Sequence, residues 1–274
     1  MDPIIDVTQG TIRMIPLAEE VGCELAHIGI PAEGLLIPQH WDVLYDRVSK
    51  CCTRFRPRLV QEEAATGPRP ILGVSFWDIT GKYRCDALEE DVVYLADHFA
   101  WAIGLASVYL KLAPDRETFY RQDAAKNLCM YHLEFAMRLA SSGWDRIALL
   151  LDLALDLKTE KECNLPLVLR EIPKKYPPLV NDEHFKWLKQ FRDQDFPELE
   201  AGKGGGLRHE VTHLLTLRTR RFCESLECYD VQAGEIVPTP KSRLEEVRDR
   251  LLQHYRYYTS GITEATDLIC AVFP

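Results

Sequence analysis

Residues 144–157 read Trp144-Asp-Arg-Ile-Ala-Leu-Leu-Leu-Asp-Leu-Ala-Leu-Asp-Leu157. This stretch is apolar around most of a helical circumference. A helix of that kind belongs in the middle of a bundle, where every side meets another helix. Working outward, the sequence predicts helices over 86–112, over 115–141 with Gly143 as its breaker, and over 144–157 itself. Shorter helices follow near 167–172, between prolines, and near 182–191. A final helix is expected over 242–272, where Leu244, Val247, Leu251, Tyr255 and Tyr258 recur at helical steps. Ser242 with Glu245 three residues later resembles a capping box at its start.

Upstream the pattern changes. Pro3, Pro16, Pro31, Pro38, Pro57, Pro68 and Pro70 punctuate the first part of the chain, and each restricts helix propagation. One helix is expected there, over 39–55, because Trp41, Leu44, Tyr45 and Val48 share a face. The run Ile71–Trp77 reads equally as a short strand or as an extended loop. The expected fold is therefore mainly α, an all-α bundle of four to five core helices, with residues 1–85 as an irregular N-terminal extension packed on a body formed by residues 86–274. One structural unit is the simpler organisation, because proline-rich loops join apolar helices throughout.

Composition narrows the function classes. The chain has 274 residues, 46% of them hydrophobic and 27% charged, ample for a sizeable core. A net charge of −9 excludes a globally basic nucleic-acid binder but leaves room for a local basic patch. Nine cysteines are present and none forms C-x-x-C, which reads as reduced, mostly structural thiols in a cytoplasmic protein. The functional alternative is Cys223 with Cys228 as a redox or metal pair. The N-terminus lacks a basic start followed by an apolar core, so no signal peptide is expected. The apolar run from His98 to Leu112 is short for a bilayer and reads as a buried helix, so no membrane partner is expected.

The chemistry concentrates in Gly204-Gly-Gly-Leu-Arg208-His209-Glu210-Val-Thr-His213-Leu-Leu215, expected to open a helix over 207–227. Two patterns overlap there. From His209 the stretch reads H-E-x-x-H. On a helix, His209 and His213 project from one face, and Glu210 is placed to polarise a metal-bound water. A zinc hydrolase needs a third protein ligand, and the extended pattern fails: Thr216 and Thr219 stand where glycine and histidine belong. Glu224, Glu227, Glu235, Glu245 and Glu246 are carboxylates within sequence reach, none in a recognisable second signature.

From Arg208 the same stretch reads R-x4-H. Arg208 follows a glycine-rich loop at a helix start, where backbone N–H groups and the helix dipole favour a phosphate. Its planar guanidinium matches phosphate oxygens, and His213 titrates near neutral pH. A phosphate-binding cation and a proton carrier are the minimum kit for cleaving RNA through its own 2′-hydroxyl. Lys203, Arg218, Arg220 and Arg221 read as a positive stripe for an RNA backbone, or as a solvated face paired with Glu224 and Glu227.

With Arg208 as the arginine, His209 as the polar residue after it and His213 as the histidine, residues 90–272 resemble the HEPN-domain superfamily. The strongly apolar helix preceding the motif is similar to bacterial members. The resemblance implies a helical bundle that pairs as a homodimer. Two motifs would face each other in a metal-independent endoribonuclease site, with no cofactor and a 2′,3′-cyclic phosphate product. A toxin–antitoxin or defence setting, with an antitoxin partner, fits the same family. Asparagine or aspartate is commoner than histidine at the position of His209. A non-catalytic bundle that binds nucleotides or a protein is the remaining alternative.

Elsewhere, His132 reads as a satisfied structural histidine. Asp145 reads as a first-turn helix charge, or as a carboxylate orienting a motif side chain. Tyr255, Tyr257 and Tyr258 read as core or dimer seam rather than as base-stacking platforms.

Overall fold

The structure is a computed structural model. It describes residues 21, 23–24, 26–27, 39–66, 81–113, 124–159, 163–199, 229–230, 235–236 and 241–273. The chain is mainly α, as the sequence predicts. Its elements are α1 (Gln39–Thr66), α2 (Gly81–Leu112), α3 (Ala124–Leu155), α4 (Leu165–Lys175), a 3-10 turn (Pro177–Asn181), α5 (Glu183–Gln194), α6 (Phe196–Leu199) and α7 (Lys241–Val272). A small antiparallel ladder, β1 (Tyr229–Asp230) with β2 (Glu235–Ile236), pairs Tyr229 with Ile236 and Asp230 with Glu235. The run at 71–77 lies outside the described residues, as does the side chain of Ser242.

Contacts divide the chain into two units, Met1–Gln39 with His98–Ala140 and Glu198–Tyr255, and His40–Asp97 with Ser141–Pro197 and Arg256–Pro274. These bounds cut through α2, α3 and α7. In the first unit, Phe99, Ile103, Ala106 and Leu110 form one buried face of α2, and Cys129, Leu133, Ala136 and Ala140 one buried face of α3. Phe99 meets the edge of Tyr255 with ring centroids 5.6 Å apart. Lys111 pairs with the buried Glu24 at 2.5 Å.

The second unit contains the main departures from the sequence reading. Helix α1 runs eleven residues past Phe55, through Pro57. A proline inside a helix removes one backbone hydrogen bond and costs about 3 kcal/mol. Phe55 and Leu59, both buried, oppose that cost. Arg58, just beyond the proline, donates to the carbonyls of Ala154 at 2.9 Å and Leu153 at 2.5 Å. These are orphan acceptors in the last turn of α3, where a cation is also favoured by the helix dipole.

Gly143 does not break α3, which is continuous from Ala124 to Leu155. The glycine serves a close approach instead. A Cβ at Gly143 would lie 2.6 Å from the Tyr258 ring, and one at Gly261 would lie 2.3 Å from the Trp144 ring. Adjacent residues of α3 and nearby residues of α7 therefore exchange an aromatic ring for a notch in both directions. Phe191 stacks on Trp144 at 4.1 Å, and Tyr258 donates from its hydroxyl to the Val92 carbonyl at 2.6 Å.

Helix α3 ends in a left-handed residue. Asp156 has φ 51°, and the Leu157 N–H returns to the Asp152 carbonyl at 3.1 Å, the bond of a Schellman turn. Glycine is usual there; here Lys175 holds the Asp156 carboxylate at 2.7 Å. Helices α4 and α5 start on side-chain caps. Asn164 accepts from the Leu167 N–H at 3.0 Å, and Asp182 from those of His184 at 2.9 Å and Phe185 at 3.2 Å.

Candidate functional site

The residues of the overlapping motifs, Arg208, His209, Glu210 and His213, lie outside the described residues, and so do Lys203, Arg218, Arg220 and Arg221. Cys223 and Cys228 share that segment. The described chain stops at Leu199 and resumes at Tyr229. The candidate site therefore rests on its sequence pattern.

Several other sequence expectations can be placed. Tyr255 and Tyr258 are buried, as core residues should be, and the Tyr257 hydroxyl donates to Asp195 at 3.0 Å. Asp145 lies in the interior of α3 rather than in a first turn, because Gly143 does not interrupt that helix. Its neighbour Arg146 pairs with Asp91 at 3.0 Å. His132 is structural but not satisfied in the expected way. Its ring stacks on Tyr109 at 5.5 Å, and its Nδ1 has no hydrogen-bond partner among the described residues. Burial lowers its pKa to about 4, so it is neutral at physiological pH.

The fold also assembles polar groups that the sequence did not single out. His184 Nδ1 lies 2.8 Å from the Glu264 carboxylate. Burial pulls the His184 pKa down, but Glu264, with Asp182 and Asp267 nearby, outweighs it and leaves the pKa raised. The only sequence signal was Asp182 two residues before, a cap that fixes His184 in the first turn of α5. Its partner Glu264 is far away in the chain.

A second cluster joins α1 and α2. Arg56 pairs with Glu89 at 2.6 Å and Asp86 at 2.9 Å, and its guanidinium reaches the Cys85 sulfur. The Cys52 thiol shares a hydrogen bond with Cys85, and this bond and Arg56 together hold the buried Cys85 thiol below its ordinary pKa. The same bond and burial push Cys52 up, and burial pushes Cys51 up. Cys163 is pushed up to about 12, chiefly by burial. None of the seven described cysteines is in a disulfide. Among the described residues, no group of three or more histidine, cysteine or acidic side chains is arranged to hold a metal ion.

One helical span, Arg84–Leu112, is long and apolar enough by composition to cross a membrane, and 67% of its apolar window is buried inside the protein. It is longer than the His98–Leu112 run because α2 continues unbroken from Gly81.

No protein-family model, no curated protein and no solved structure matches the chain.

Proposed function

We propose that the chain is a HEPN-like, metal-independent endoribonuclease acting as a cytoplasmic homodimer, with Arg208 and His213 at its centre. The observation that carries this reading is the R-x4-H spacing directly after Gly204–Gly206 in a mainly α-helical chain. The reaction needs no external nucleophile. His213 of one copy takes the proton from the RNA 2′-hydroxyl, whose oxygen then attacks the adjacent phosphorus. The 5′-oxygen of the next nucleotide leaves and takes a proton from the second copy's histidine. Arg208 balances the charge gathering on the phosphate oxygens in the transition state. Lys203, Arg218, Arg220 and Arg221 hold the RNA backbone. Glu210 has no proton to move in this scheme, and an antitoxin partner would act by covering the motif.

The helical character of the described residues supports this reading over a zinc hydrolase. The only strands among them are the residue pairs at 229–230 and 235–236, too short to frame a protease-like cleft. The test is RNA cleavage in excess chelator. Wild type is expected to cut, and Arg208→Ala and His213→Ala each to lose activity by 10²-fold or more, on the order expected for removing an acid–base or charge-stabilising group. Cleavage restored only by zinc, and abolished by Glu210→Gln, would replace this reading with the zinc hydrolase. No cleavage by any form, with RNA still bound, would leave a non-catalytic binding module.

A further inference from the structure

The end of α7 lies along α1 in a regular pairing. Arg47 bonds Asp267 at 2.7 Å, and Arg54 donates to the Phe273 carbonyl at 2.8 Å. Between these two ties, Cys51 and Cys270 share a hydrogen bond. Arg47, Cys51 and Arg54 fall on one face of α1, spaced by one helical turn, so the flanking contacts independently bring Cys51 against Cys270. Cys51 is buried at 1% exposure, whereas Cys270 is partly exposed. One member of the pair is thus partly open to solvent, and the other is buried.

We propose that Cys51 and Cys270 form a reversible disulfide when the protein meets a hydroperoxide. Cys270, as the thiolate, attacks the peroxide. Its sulfur gains an oxygen as the O–O bond breaks, and the departing hydroxide takes up the proton the thiol has lost and leaves as water. Cys51 then attacks the resulting sulfenic acid. An S–S bond forms, the S–O bond breaks, and the oxygen leaves as water with the Cys51 proton. Two thiols are oxidised by two electrons and one hydrogen peroxide is reduced to two waters. The product covalently fastens the last turn of α7 to α1 in the geometry the two arginine contacts already hold. The buried Cys52–Cys85 pair nearby lacks a solvent-facing sulfur and stays reduced.

The test is differential alkylation and peptide mass mapping of the full chain before and after hydrogen peroxide. The expected result is loss of two alkylation sites, one joined peptide containing Cys51 and Cys270, and full recovery with a dithiol reductant. Cys270→Ser should remove the joined peptide. Cys51→Ser should leave a sulfenic acid at Cys270 that a dimedone probe traps, with helical circular dichroism confirming that each variant folds. A bridge between any other cysteines, or both thiols remaining alkylatable after peroxide, would overturn the proposal. So would Cys270 oxidised to the sulfinic acid while Cys51 stays free.

Discussion

Trp144 and Tyr131 are aromatic residues of one helix with opposite fates. Trp144 is fully buried, whereas Tyr131 is 63% exposed. Around Trp144 the facing helix provides a notch at Gly261, and Phe191 closes the ring from another side. Around Tyr131, Leu128 and Phe135 are also exposed, and the ring meets that of His132 edge-on at 5.2 Å. Helical periodicity places apolar groups on a face in both stretches. What differs is that Trp144 meets a facing residue, Gly261, small enough to admit its ring. Apolar spacing sets the face; the glycine on the opposite helix sets the depth.

Changes that empty or fill the Trp144 notch should break the contrast most. Trp144→Ala should cost about 3–5 kcal/mol in chemical denaturation, the usual scale for emptying a large aromatic site. Gly261→Ala should cost about 1–3 kcal/mol by overpacking, because the new methyl would lie 2.3 Å from the edge of the Trp144 ring. The double variant should cost clearly less than the two single costs added, since the methyl then has no ring to strike. Strict additivity would mean that the notch is not what holds the ring. On the exposed side, Tyr131→Ala should change stability by no more than about 0.5 kcal/mol. A cost near that of Trp144→Ala would mean that this face is covered in solution.

The two regions also treat histidine in opposite ways. His132, neutral with a pKa near 4, contributes stability that is present above the unfolded value of about 6.5 and is lost as pH falls toward 4. His184, with its pKa raised by Glu264, contributes stability that is present below about 6.5 and is lost as pH rises through its raised value. Imidazole titrations followed by NMR should show His184 protonating before His132 as pH is lowered. The reverse order would contradict both environments.

Much of this was legible in the sequence, and the failures share a cause. The mainly α character and the burial of 144–155 followed from apolar density, and α7 from helical spacing. Gly143 misled because a helix-interior glycine and a helix-ending glycine look alike along the chain; only Tyr258, distant in sequence, tells them apart. Pro57 misled for the same reason, since Phe55, Leu59 and Arg58 act through tertiary partners. The Cys51–Cys270 and His184–Glu264 pairs join residues with no local pattern. The motif at 203–221 is the converse case, readable only as sequence, because the described residues do not include it.

The central functional claim is that His213 moves a proton beside Arg208 and binds no zinc. The most direct test is the chemistry of the RNA ends left by purified protein in excess chelator. The account predicts a 2′,3′-cyclic phosphate on one fragment and a free 5′-hydroxyl on the other, both absent with His213→Ala. Ends bearing a 5′-phosphate, or the same cyclic product from His213→Ala at the wild-type rate, would contradict it.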